Sequence, residues 1–184
     1  MLIIDKKCYN HSEDEFRIFA YNKKGGFFME NLMNVASYVY NRYFETKGER
    51  IDEMKLHKLL YFAQRESLIQ TNKPLFAETF YGWKFGPILK EIRNAYKDNT
   101  FLHEIEEAVV CRIKSIMDKV FEEYADKDSW SLSRLTHGEL AWKNSRKGIP
   151  DGANSDNPMD INDIAKDAER VRLRRAGLAK LGLI

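Results

Sequence analysis

The chain has 184 residues, 43% of them hydrophobic, enough to bury one substantial core. Lys and Arg number 30 against 28 Asp and Glu, a formal net charge of +2, which gives little general affinity for duplex DNA. No apolar run approaches the roughly 18 residues that cross a bilayer, and Met1-Leu2-Ile3-Ile4 meets charge at Asp5, so neither a membrane span nor an export signal is expected. The two cysteines, Cys8 and Cys111, lack metal-ligand spacing, and reduced thiols in a cytoplasmic protein are expected.

The first 28 residues stand apart. Phe16–Tyr21 has strand-like composition without an evident partner. Codons for Lys24-Gly25-Gly26-Phe27-Phe28-Met29 must contain a purine-rich, GG-bearing stretch ahead of ATG, the layout of a bacterial ribosome-binding site. Met29 is therefore a candidate start, and residues 1–28 are either an upstream reading artefact or a loosely attached extension.

From Asn31 the pattern is helical. Leu32, Val35, Ala36, Val39, Tyr40 and Tyr43 recur at helical spacing between a capping Asn31 and a stopping Gly48. Asp52 opens a second helix carrying Met54, Leu56, Leu59, Leu60, Ala63 and Ile69, and Tyr61 and Phe62 widen its stripe. A helix apolar over more than half its circumference belongs at the centre of a domain. Asn72-Lys73-Pro74 ends it. Residues 79–84 are β-prone, and Pro87 is expected at the first position of a helix that buries Ile88, Leu89, Ile92 and Tyr96. A long helix is predicted from Leu102 to Tyr124, then a short one from Asp128-Ser129 burying Leu132 and Leu135. Thr136 and Glu139 have capping-box spacing. Residues 147–158 form a loop, and a last helix from about Asn162 buries Ile164, Ala165, Ala168 and Val171. The expected fold is mostly α, about five to six helices with a short β element near 79–84. Its domain spans 29–146, and 147–184 adds a loop, a helix and a basic tail.

Catalytic patterns are absent. His11, His57, His103 and His137 have no metal-ligand spacing, and Gly25-Gly26 lacks the lysine and serine of a P-loop. Glu66, Glu91 and Glu139 are conceivable acids, yet nothing in the sequence selects them. Neither cofactor nor metal is expected, and no enzymatic activity. An enzyme would require His57, His137, Glu91 or Glu139 to converge in a pocket.

Two segments are candidates for contact. In Phe80-Tyr81-Gly82-Trp83-Lys84-Phe85-Gly86-Pro87, aromatics alternate with glycines. They are either core anchors around a tight turn or a partner-binding surface made of Tyr81, Trp83, Lys84 and Phe85. In the tail, Arg172, Arg174 and Arg175 have no acidic neighbour after Glu169, and either fray in solvent, order against an acidic partner or touch nucleic acid.

In order, Met54-Lys55-Leu56-His57-Lys58-Leu59-Leu60-Tyr61-Phe62-Ala63-Gln64, Pro74-Leu75-Phe76, Trp83-Lys84-Phe85-Gly86-Pro87, Leu135-Thr136-His137 and Trp142 resemble the signature of the Panacea domain. This is the SocA-like antitoxin domain, also found in phage-associated GepA-type proteins. The resemblance spans about 31–146 and implies a helical antitoxin that neutralises a cognate protein toxin by direct binding. SocA itself delivers its toxin to a ClpXP-type protease, a second partner class the resemblance brings in. A nucleic-acid-binding transcriptional regulator of a phage or mobile-element operon is the alternative.

Overall fold

The computed structural model describes residues 29–183. The suggested strand at 16–21 and the question of residues 1–28 lie outside them. Among the described residues the fold is mostly α, with seven helices and one two-stranded antiparallel ribbon. The helices are α1 (Leu32–Lys47), α2 (Glu53–Thr71), α3 (Lys90–Asp98), α4 (Glu107–Tyr124), α5 (Ser129–His137), α6 (Leu140–Ser145) and α7 (Ile161–Lys180). The strands β1 (Tyr81–Trp83) and β2 (Gly86–Ile88) lie between α2 and α3.

Local chemistry sets the helix starts. Asn31, Asp52, Asp128 and Asp160 each accept a backbone N–H of the first turn, at 2.8–2.9 Å. α1 stops at Gly48 and α2 at Asn72, both left-handed at φ 70° and 58°. The expected central helix is α2, buried without a break from Lys55 to Leu68. It packs against α1, α4, α5, α7 and β2. Leu59 and Leu60 are fully buried at its middle, and Phe62 stacks on Tyr124 of α4 at 4.0 Å between centroids.

Several expectations change in three dimensions. Pro87 does not open a helix. It lies in β2 opposite Gly82, and α3 begins at Lys90. The long helix starts at Glu107 and not at Leu102. Ser37 Oγ donates to the carbonyl of His103 and accepts its N–H, holding this stretch against α1. Leu132 is buried, but Leu135 is exposed. The buried arc of α5 centres on Ser133 and Thr136, and at about 100° per residue Leu135 falls on one flank and Trp130 on the other. Thr136 and Glu139 form no capping box. Thr136 Oγ1 donates to the Ser133 carbonyl, and Glu139 turns inward to Arg65. Cys111, expected as a reduced thiol, is disulfide-bonded. No helix among the described residues is long and apolar enough to cross a membrane.

The C-terminal helix is helical through Lys180 and packs on α2 and α6. Asp167 of α7 accepts the N–H groups of Leu140 and Ala141, both at 2.9 Å, so it caps α6 from another element. Beside it Arg65 of α2 donates to Glu139 at 2.5 Å and to the Tyr124 hydroxyl at 2.6 Å. Burial raises the Glu139 carboxyl above its ordinary range, against the pull of Arg65, and raises the Tyr124 phenol to about 12.

Candidate protein-binding face

Of the residues that carry the resemblance, His57, Lys58 and Gln64 turn inward. Lys58 is 1% exposed, and its Nζ donates to the Pro87 carbonyl at 3.0 Å. Burial brings its ammonium down to about 7, with only partial offset from Asp52 and Glu53. His57 Nδ1 accepts the Leu89 N–H at 3.2 Å, so the neutral ring carries its proton on Nε2, which faces Glu53 at 3.6 Å. Burial lowers the pKa of His57 despite that carboxylate. Gln64 fastens the Pro74-Leu75-Phe76 segment. Its Nε2 donates to the Phe76 carbonyl, and its Oε1 accepts the N–H groups of Leu75 and Phe76.

Three further side chains hold the β1–β2 hairpin from behind. Ser133 Oγ of α5 donates to the Phe85 carbonyl at 2.9 Å, and Trp142 Nε1 of α6 to the Trp83 carbonyl at 2.9 Å. Arg146 donates to the Gly82 carbonyl at 3.0 Å. With Lys58, four side chains thus satisfy four hairpin carbonyls. Gly86 is required here twice over. Its φ is +105°, and a Cβ would lie 2.6 Å from both Lys58 Cε and Thr136 Oγ1. His137 stacks on Trp142 at 3.9 Å, and burial lowers its pKa, with Lys58 and Arg146 acting in the same direction.

The front of the hairpin differs. Phe85 is 46% exposed and meets Trp130 of α5, 56% exposed, edge-on at 5.3 Å. Lys84 Nζ lies 4.7 Å from the Phe85 ring centre. Arg134, one turn beyond Trp130, is exposed and donates to Ser131 Oγ. Tyr81 and Trp83 are half-buried; Lys90 covers the first ring at 4.1 Å and Arg93 the second at 4.8 Å. The aromatic segment therefore divides by burial. Phe80 is core, Tyr81 and Trp83 are sheathed, and Phe85 is outside.

The arginines of α7 also divide. Arg175 is tied to Glu66 at 2.9 Å and Glu123 at 2.8 Å and clamps α7 to α2 and α4. Arg172 pairs with Glu169, and Arg174 is exposed. The sequence reading missed Trp130 and Arg134. The available signal was Trp130 flanked by Ser129 and Ser131 directly after the Asp128 cap, a large aromatic outside the apolar stripe.

The acids and bases considered for catalysis have separate structural partners. His57 is held by Leu89, Glu139 by Arg65, Glu66 by Arg175, and Glu91 is exposed. A cavity of about 280 Å³ lies between Phe76–Phe80 and the start of α7; none of His57, His137, Glu91 or Glu139 lines it. Among the described residues no group of His, Cys, Asp and Glu is arranged to hold a metal.

Residues 56–143 match the family model described as antitoxin SocA-like, Panacea domain. The matched stretch runs from α2 to α6 and contains the hairpin, its four fastening side chains except Arg146, and both exposed aromatics. No curated protein and no solved structure matches the chain.

Proposed function

We propose that the protein, whose residues 56–143 match the antitoxin SocA-like Panacea domain, neutralises a cognate protein toxin by direct contact and has no catalytic role. One observation carries the reading. Within the matched stretch, His57 and Lys58, two side chains capable of acid–base work, are buried and bonded to backbone, while the large aromatics Phe85 and Trp130 face outward. Exposed aromatics on a fixed backbone supply contact area at small entropic cost. The hairpin residues Tyr81, Trp83, Lys84 and Phe85 and the α7 arginines Arg172 and Arg174 are the candidate contacts; Arg175 serves the fold first.

The test is co-expression with each adjacent reading frame, scored by growth and by co-purification in a cytoplasmic bacterial host. Growth arrest by one neighbour alone, with rescue and a stable complex when this chain is present, is the expected result. Rescue with disappearance of the neighbour identifies delivery to a ClpXP-type protease as the route. If no neighbour is toxic, the reading fails, and binding to operator DNA becomes the reading to pursue.

A further inference from the structure

We infer that the contact face is built from two elements, the hairpin tip and α5, and that Phe85, Trp130, Lys84 and Arg134 receive a partner segment presenting an apolar side chain beside carboxylates. This rests on neutralisation by contact and specifies where it occurs and what chemistry the partner supplies.

Four observations converge. Phe85 and Trp130 are both about half exposed and lie edge to face, so together they form one apolar surface contributed by two elements. Their backbones are fixed. The Phe85 carbonyl is held by Ser133 of α5 itself, and the neighbouring Pro87 carbonyl by Lys58. A surface prepared in this way loses little freedom when covered. Lys84 and Arg134 border the pair, and neither has an ion-pair partner among the described residues. Asp128, the cap of α5, accepts the N–H and hydroxyl of Ser131, and these bonds, with a smaller pull from Arg134, hold its carboxyl below the ordinary range. Lys84 and Arg134 make a cationic border offset only by the field of Asp128 on the Arg134 side, which favours a carboxylate-bearing partner.

The geometry also selects among partner classes. The Lys84 ammonium sits over the Phe85 ring, and the two rings meet at 82°, so they offer no parallel faces for successive bases. Exposed Phe44 has no aromatic ring packed on it among the described residues and serves as a control.

The experiment uses the purified full chain and the adjacent-frame product that it rescues, with binding measured by calorimetry over a range of NaCl concentrations. The Phe85→Ala/Trp130→Ala pair is expected to keep the wild-type melting temperature and weaken binding by about 30-fold or more, the size of a central hot spot. Lys84→Glu/Arg134→Glu is expected to weaken binding and flatten its salt dependence. Phe44→Ala should bind within about 2-fold of wild type, as peripheral residues do. The inference is overturned if the folded double-alanine variant binds like wild type, or if Phe44→Ala abolishes binding. Should the alanine pair fail to fold, the charge-reversal pair decides by the same criterion. Salt-sensitive binding of duplex DNA that these variants abolish would also overturn it. A wild-type chain that binds no adjacent-frame product refutes neutralisation itself, and is told apart because the wild type and not the variants fails.

Discussion

Behind the β1–β2 hairpin, Lys58, Ser133, Trp142 and Arg146 each donate to one of its carbonyls; in front of it, Phe85 and Trp130 touch each other and solvent. The same eight-residue stretch therefore obeys two sets of rules. At the back, a lost partner leaves a buried polar group unsatisfied, so changes there act on folding. At the front, truncation removes little that the native state needs, so changes there act on association. The difference teaches that one signature stretch carries both kinds of residue, with Gly86 and Pro87 bound into the fold and Phe85 left at the surface.

The sharpest way to break the comparison is at Gly86. Gly86→Ala must place a side chain at positive φ against Lys58 and Thr136, and is expected to cost about 2–5 kcal/mol, read by thermal or urea denaturation. A variant as stable as wild type would show that the back of the hairpin is not tightly packed. Leu59→Ala or Leu60→Ala should cost a similar roughly 2–5 kcal/mol through a cavity in α2.

Next in size is a pH effect. Between about 7 and 10.5 the unfolded chain holds a proton on Lys58 that the folded chain lacks. Stability should therefore rise with pH across that window and lose this slope below it, where both states are charged. Lys58→Met should flatten the rise in denaturant midpoints measured from pH 7 to 10. An unchanged slope in that variant would show that Lys58 is not its source.

A smaller effect is expected at the C-terminal clamp. Arg175→Ala leaves Glu66 buried without its cation and should cost about 1–3 kcal/mol, less than a fully buried pair because Arg175 itself is partly exposed. Hydrogen exchange should rise first in the last turns of α7. The smallest expected effect on stability is at the front: Phe85→Ala and Trp130→Ala should each stay within about 0.5 kcal/mol of wild type. A loss of several kcal/mol there would place the pair in the folding core and erase the distinction between the two sides.

Much of the fold was legible because it is written in local periodicity. The stripes of α1, α2 and α4 and the caps at Asn31, Asp52 and Asp128 depend on neighbours within a few residues. What failed depended on distant partners. Pro87 has the right chemistry for a helix start, but pairing with Gly82 placed it in a strand. Leu102–Glu106 continues an apolar pattern, yet Ser37 from α1 holds the His103 backbone. Thr136 and Glu139 have capping spacing, but Arg65, far back in the chain, draws Glu139 inward. The candidate face was half legible. Lys84 and Phe85 stood out by composition, whereas Trp130 and Arg134 join them only through the packing of α5 beside the hairpin.

Asp167 carries one more consequence. The matched residues end at Lys143, within the six-residue helix whose first amides Asp167 supplies with acceptors from outside the match. A fragment cut to 56–143 would lack that carboxylate, the Arg175 clamp and the whole of α1, exposing α2 on several sides at once. A piece that keeps the Glu30 contacts with Leu75 and Arg112 and the Arg175 contacts with Glu66 and Glu123 must reach at least from Glu30 to Arg175. The boundaries by which the domain is detected and those at which it can be cut are different boundaries.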